Sequence, residues 1–217
     1  MALSGLIQML APDDYFDAVD SARIRRAREL SEIKRTFLAM ASADPLAIGS
    51  KSVVVLSYAA WEGFYNECVE IYLDFLEHGG VKVAEASWLL LSGALTADFK
   101  SLRDRHHSDK ARREFVAQLR DRLICGFDSF DRSVVMARSN LDFDRLSSNF
   151  LLLALEITPF QVSRLRIDKE LVGWRHGVAH GDPPDLTAID VTAHIDFVSD
   201  LLLTVADSFQ HAILQHA

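Results

Sequence analysis

Residues 50–77 of the chain read SKSVVVLSYAAWEGFYNECVEIYLDFLE. The apolar side chains of this stretch are spread around most of the circumference of a helix instead of forming one stripe. A helix of this kind needs cover on most of its faces, so it lies in the centre of a bundle. The Gly79-Gly80 pair that follows is typical of a helix end. We therefore expect a central helix over residues 50–77, with other helices packed around it.

Helical periodicity continues on both sides of this segment. Residues 13–43 place apolar side chains three and four positions apart, with charged side chains opposite, and Asp44-Pro45 ends the pattern. Thr158-Pro159 favours a helix start, with Thr as the cap. The other predicted helices cover residues 81–95, 111–125, 128–138, 143–156, 166–180 and 187–214. No stretch shows the alternation of a strand, so we predict an all-α fold, an antiparallel bundle of four or five long helices with short helical insertions, as one domain over residues 1–217.

The bulk composition restricts the function classes. The chain has 217 residues, of which 49% are hydrophobic, and a formal net charge of −8. Proteins that grip nucleic acid over an extended surface are usually basic, so the acidic balance argues against a general DNA-binding protein. It leaves room for an enzyme with a locally basic cleft. The two cysteines have no CxxC spacing, and we see no secretory signal or membrane-spanning run, so we expect free thiols, no membrane partner and a cytoplasmic location.

The segment LVGWRHGVAHGD at residues 171–182 differs from the rest of the chain. It concentrates one Arg, two His and one Trp at a predicted helix end. Histidine transfers protons near neutral pH, whereas Arg is a permanent cation whose forked donors match phosphate oxygens. On an ideal helix Arg175 and His180 lie about 140° apart, whereas His176 and His180 share a face. The residue types therefore indicate chemistry on a phosphate group.

This segment resembles the R-x(4–6)-H signature of the HEPN superfamily. Arg175 matches the motif Arg, His180 its terminal His, and His176 the polar position after the Arg, where Asn or Asp is more usual. The ending Arg-His-Gly-Val-Ala-His-Gly is similar to the form found in prokaryotic stand-alone HEPN proteins of toxin–antitoxin and phage-defence loci. Two companion stretches resemble the same branch, YAAWEGF at residues 58–64 and RSNL at residues 138–141.

The resemblance extends from about residue 23 to residue 209 and implies a function. It implies a metal-independent endoribonuclease, a toxin or phage-defence effector that cleaves RNA without a cofactor. Arg175 and His180 would carry catalysis, and His176, Glu62 and Asn140 would be accessory residues. One Arg and one His are few groups for two proton transfers, and the resemblance implies a two-fold homodimer that brings two motifs together. A cognate antitoxin is a further expected partner.

Two glycines favour the same assembly. Gly173 and Gly177 lie four residues apart in a predicted helix, where each glycine costs about 1 kcal/mol relative to alanine. We expect this face to allow the close approach of another helix, as in the dimer, or of a ligand backbone.

Other interpretations of these residues stay open. His176 and His180 form a His-x3-His pair that suits zinc, with Asp182 or Glu62 as a third ligand. A HEPN-type module that binds nucleotide or a partner protein without catalysis fits the same pattern, as does a plain helix end. Glu62 and Glu67 are candidates for orienting Arg175 or for pairing with another Arg, and Asn140 is also a candidate cap for the next helix.

Residues 100–113 form a basic insertion. They carry eight Lys, Arg and His side chains and few apolar ones, which predicts a loop leading into the next helix. It is either a solvated connection or a flap that contacts phosphates. In the second case the RNA-binding residues are Arg103, Arg105, Lys110 and Arg112.

Overall fold

The computed structural model describes residues 11–41, 46–138 and 140–216, and these residues form helices and no strand. This confirms the predicted all-α bundle. No helix among them is both long and apolar enough to cross a membrane.

The α-helices are α1 (Pro12–Ala41), α2 (Ile48–His78), α3 (Val83–Ala86), α4 (Leu91–Ala94), α5 (Thr96–Asp104), α6 (Asp109–Leu123), α7 (Phe143–Leu152), α8 (Arg164–Arg166), α9 (Trp174–His180) and α10 (Val191–His216). Turns of 3-10 helix cover Trp88–Leu90, Phe127–Ser129, Arg132–Val134 and Thr158–Ser163, and a π-helix covers Ile167–Gly173.

Helix α2 is the centre of the bundle, as its sequence predicts. Helices α1 and α10 pack along it and against each other. Tyr65 and Tyr72 of α2 meet Phe209 of α10 with ring centroids 6.2 and 5.9 Å apart. Both pairs have the edge-to-face arrangement that aromatic rings favour. Because α2 is covered on most sides, it is a fixed frame for the residues it carries.

Glycine ends both α2 and α9, where the sequence predicts it. Gly80 and Gly181 have φ values of 67° and 80°, in the left-handed region that other residues adopt only with strain. Helix α10 begins four residues after its predicted start at residue 187, because Asp190 caps it. The Asp190 carboxylate accepts a hydrogen bond from the N–H of Ala193 at 2.9 Å.

The prediction of a helix over residues 128–138 is wrong, since this segment forms only two 3-10 turns. Side chains from other helices bind its backbone instead. The Tyr65 hydroxyl and the Asn149 amide both donate to the carbonyl of Val135, at 2.8 and 2.9 Å. These hydrogen bonds satisfy the backbone without a helix and tie the segment to α2 and α7, so tertiary contacts override the local pattern.

Other predicted boundaries also need correction. Residues 81–95 form two four-residue helices and a 3-10 turn instead of one helix. Thr158 is the first residue of a 3-10 helix and not its cap. Helix α7 ends at Leu152, four residues earlier than predicted. The predicted stop at Asp44-Pro45 lies outside the described residues.

Candidate functional site

The segment at residues 171–182 covers the end of a continuous helical stretch. This stretch runs from Thr158–Ser163 through α8 and the π-helix Ile167–Gly173 into α9. A π-helix places more residues in each turn than an α-helix, which turns the following side chains, and it is frequent at functional sites. Helix α9 starts directly after it and packs on α2. The π-helix therefore sets the direction in which the side chains of α9 leave the bundle.

An aromatic ring holds Arg175 against α2. The guanidinium carbon of Arg175 lies 4.7 Å from the centroid of the Tyr58 ring, within cation–π range. Arg175 is half-buried, and its side chain forms no ion pair or hydrogen bond with any residue that the structure describes. Its N–H donors and its charge are therefore available to an anionic ligand.

Tyr58 is itself held in place by its neighbours. Its hydroxyl oxygen accepts a hydrogen bond from the N–H of Leu141 at 2.8 Å, and the Trp61 ring N–H donates to the carbonyl of Leu141 at 3.1 Å. Burial raises the pKa of Tyr58 to about 12, the adjacent Glu62 carboxylate also raises it, and the Leu141 hydrogen bond and the Arg175 charge oppose this rise. The phenol therefore stays protonated at neutral pH, and its ring offers a neutral face to Arg175.

The two histidines lie on the solvent side of α9. His176 and His180 are exposed, and their ring centroids are 4.3 Å apart, which confirms that they share a face. His180 is the last residue of this seven-residue helix. Arg175 lies five residues before it, or about 7.5 Å along the helix axis. One short helix thus presents a held cation and two accessible imidazoles.

Glu62 lies beside the Tyr58 hydroxyl, on the same helix α2. In the described residues it has no ion pair, with Arg175 or with any other arginine. Glu67, one turn later, pairs instead with Arg25 and, at 3.9 Å, with Arg26. The structure therefore does not contain the direct pair between Glu62 and Arg175 that we considered from the sequence.

Asn140 lies next to Leu141, on the loop that Tyr58 and Trp61 bind. It is exposed, and its amide donates to the Asp142 carboxylate at 3.2 Å. Asp142 is the cap of α7, because its carboxylate accepts the N–H of Arg145 at 2.8 Å. The interpretation of Asn140 as this cap is wrong.

The basic insertion is a helical hairpin and not a loop. Residues 100–113 cover the end of α5, a short turn and the start of α6, where the Ser108 hydroxyl caps the helix. Each predicted RNA-binding residue lies beside a carboxylate, in the pairs Arg103–Asp104 (3.5 Å), Arg105–Glu114, Lys110–Glu114 (3.9 Å) and Arg112–Asp109 (3.9 Å). Helices α5 and α6 pack on each other and on α4, whereas α9 packs on α2 and the π-helix. Neighbouring carboxylates weaken the positive field here, and RNA contact by this hairpin stays a prediction.

Gly173 and Gly177 make room for the chain's own backbone. A Cβ atom on Gly177 would lie 2.7 Å from the carbonyl oxygen of Asp182 and 3.1 Å from the Cα of Pro183. A Cβ atom on Gly173 would lie 3.0 Å from the carbonyl oxygen of Asp168. The turn after α9 thus fills the space at Gly177, whereas Gly173 is exposed, and the approach of another helix or of a ligand backbone at Gly173 stays a prediction.

Two residues at the site were missing from the sequence interpretation. Tyr58 opens the companion stretch at residues 58–64, one turn before Glu62, so its position on a helix face was a usable signal. His194 of α10 stacks on Trp174 with ring centroids 5.6 Å apart, and no motif marks it.

A metal site has little support from the geometry of the donor groups. Over residues 11–41, 46–138 and 140–216, no three His, Cys, Asp or Glu side chains are grouped to hold a metal ion. Cys68 and Cys125 are free thiols, the first buried and the second partly exposed.

The comparisons with known proteins give one result. A family model described as RiboL-PSP-HEPN matches residues 21–211, from within α1 to within α10. No curated protein and no solved structure matches the chain.

Proposed function

The chain belongs to the RiboL-PSP-HEPN family, and from this premise we propose that it is a metal-independent endoribonuclease with Arg175 and His180 as its catalytic residues. Membership of the family supports a nuclease-like or nucleotide-binding module in general. The observation that supports catalysis by these two residues is that Arg175 has no acidic partner in the part of the chain that the structure describes. Its half-buried guanidinium lacks a carboxylate among the described residues and lies on the same short helix as the exposed His180.

The proposed reaction is transesterification within the RNA strand. A base takes the proton of the 2′-hydroxyl, and the 2′-oxygen attacks the adjacent phosphorus. The bond from phosphorus to the 5′-oxygen breaks, and an acid gives that oxygen a proton. The products are a 2′,3′-cyclic phosphate and a 5′-hydroxyl. In this scheme His180 transfers protons and Arg175 stabilises the charge of the phosphorane.

Two proton transfers are easier to supply from two copies of the chain. We place the contact of a homodimer at the apolar surface beside α9, where Val178 lines a groove together with Ile48, Val55 and Leu56. Ile48, Val55 and Leu56 are all exposed, and a contiguous apolar surface of this kind is typical of a protein contact. Such a dimer brings two α9 helices together, so that one His180 is the base and the other the acid.

The biological role we propose is that of a toxin or phage-defence effector in the cytoplasm, with RNA as substrate and a cognate antitoxin as its restraint. A second candidate function uses the same geometry without turnover. An available Arg175 and two exposed imidazoles also suit a module that binds nucleotide or a partner protein. The basic hairpin at residues 100–113 is an additional candidate RNA contact.

The test is cleavage of total RNA and tRNA by the purified chain. We expect Arg175→Ala and His180→Ala each to lower the rate by at least about 100-fold, the usual scale for a charge-stabilising or acid–base group. Arg28→Ala on α1 and His211→Ala near the end of α10 replace exposed residues outside α9 and the basic hairpin and are the matched controls. Circular dichroism shows whether the variants keep their helices. Full cleavage by either folded site variant contradicts the proposed nuclease with Arg175 and His180 as its catalytic residues. RNA binding without cleavage by the wild type favours the binding module.

A further inference from the structure

We infer that Tyr58 is a positioning residue of this site, whose ring face holds the Arg175 guanidinium while leaving its N–H donors free for a phosphate. The kinetic consequence of this inference rests on the proposed function. The positioning itself rests only on geometry, since the guanidinium carbon lies 4.7 Å from the ring centroid.

A ring and a carboxylate hold a guanidinium in different ways. A carboxylate binds the N–H edge, uses up to two of the five donors and neutralises the charge. Arg132 shows this arrangement, because its two terminal nitrogens donate to Asp74 and Glu77 at 2.6 and 2.7 Å. Arg132 therefore clamps a loop to α2 and has little left for a ligand. An aromatic face contacts the plane of the guanidinium instead, so the edges and the charge of Arg175 remain available.

The ring of Tyr58 is well suited to hold a fixed direction. It is 2% exposed, on the helix at the centre of the bundle, and its hydroxyl is fixed by the N–H of Leu141 at 2.8 Å. Because the fixed ring already orders the long Arg175 side chain, this side chain loses less conformational entropy when it binds a phosphate.

Two substitutions separate the ring from the hydroxyl. Tyr58→Phe keeps the ring face and removes the bond to Leu141, whereas Tyr58→Leu removes the ring face as well. Fluorinated phenylalanines at position 58 are a third probe, because they weaken the negative face of the ring with little change in volume. They keep the experiment informative if Tyr58→Leu does not fold. Tyr72→Leu is the control, since Tyr72 is another buried tyrosine of α2, and its ring packs edge-to-face on Phe209 instead of against Arg175.

The first measurement is NMR of the full chain with labelled arginine, with the Arg175 signals assigned by their loss in Arg175→Ala. A guanidinium over a ring face has its side-chain proton signals moved upfield by the ring current. We expect this displacement in the wild type, Tyr58→Phe and Tyr72→Leu, and its loss in Tyr58→Leu. Arg175 signals that do not change in Tyr58→Leu overturn the inference, whether or not the chain cleaves RNA.

The second measurement is RNA cleavage over a range of pH. We expect Tyr58→Leu to lower kcat by about 10-fold or more with a smaller change in KM, as for the loss of orientation at a reacting group. We expect Tyr58→Phe to stay within about threefold of the wild type with the same pH profile, and increasing fluorination to lower kcat in steps. Loss of activity in Tyr58→Phe together with a changed pH profile overturns the positioning role, because the hydroxyl then acts directly. A wild type that cleaves no RNA, but shows the expected Arg175 signals, contradicts the proposed function and leaves the positioning intact.

Discussion

The rings of Trp174 and His194 stack with their centroids 5.6 Å apart and an angle of 25° between their planes. His194 is 2% exposed, and within the described structure neither ring nitrogen has a hydrogen-bond partner. Burial lowers the pKa of His194 to about 4, with the Arg166 charge acting in the same direction and Glu170 opposing it. Trp174, the first residue of α9 and the neighbour of Arg175, thus packs on an imidazole that burial keeps neutral.

This relationship predicts a loss of stability in mild acid. The pKa of His194 is about 4 in the folded chain and about 6.5 in the unfolded chain, so between these values the unfolded chain binds the extra proton. The stability from neutral His194 is complete above pH 6.5 and is lost as the pH falls towards 4. We expect this loss to reach about 3 kcal/mol.

Urea unfolding at pH 7.5 and pH 4.5 tests this expectation. His194→Phe keeps an aromatic ring against Trp174 and removes the titrating group. The free energy of unfolding of this variant should therefore rise relative to the wild type as the pH falls. An equal difference between the two chains at both pH values would show that His194 does not carry the effect.

Gly177→Ala is expected to destabilise the chain although it removes a glycine from a helix. Helix propensity alone favours alanine by about 1 kcal/mol. The new Cβ, however, would lie 2.7 Å from the Asp182 carbonyl oxygen, so the turn after α9 has to move. Such overpacking costs about 1–3 kcal/mol, and we expect a net loss of stability. Gly63→Ala is the control, because its Cβ meets only the end of the flexible Arg26 side chain at 3.0 Å. A melting temperature of Gly177→Ala equal to or higher than that of the wild type would contradict the predicted steric clash.

The fold was largely predictable because its helices are marked by patterns within single segments of the chain. The apolar circumference of residues 50–77 indicates the central helix, and Gly80 and Gly181 mark helix ends through local backbone preferences. The segment at residues 128–138 was not predictable, since the side chains that bind its backbone come from α2 and α7. A pattern within one segment holds no information about such partners.

The candidate site was predictable only in part for the same reason. The spacing of His176 and His180 gives their shared face directly. The residue that contacts Arg175 depends on where α9 crosses α2. This crossing places the Tyr58 ring against the guanidinium, whereas the sequence suggested the Glu62 carboxylate. The close contact at Gly177 depends on the path of the turn after the helix, which a spacing of four residues does not reveal.

The apolar surface beside α9 predicts how the chain associates. Val55→Glu places a charge in the groove that Val178 also lines, so we expect it to weaken the dimer and, at low protein concentration, to lower RNA cleavage. Val162→Glu is the matched control, because Val162 is 93% exposed on the 3-10 helix at Thr158–Ser163. Light scattering should give twice the mass of 24.3 kDa for the wild type and the control, and a smaller mass for Val55→Glu. A wild type that is an active monomer at micromolar concentration contradicts the dimer.

Metal independence separates the proposed transesterification from a His176–His180 metal site. If Arg175 and His180 carry the reaction, EDTA leaves the rate unchanged, the products end in 2′,3′-cyclic phosphate and 5′-hydroxyl, and His176→Ala is milder than His180→Ala. If the two histidines hold a metal, both substitutions reduce the rate alike, chelation stops cleavage, and attack by a metal-bound water leaves a 5′-phosphate. We expect the first result, because the unpaired charge of Arg175 on the same short helix disfavours a divalent cation and no third ligand joins the histidines in the described residues. Stoichiometric zinc by elemental analysis, together with inhibition by EDTA, would overturn this mechanism.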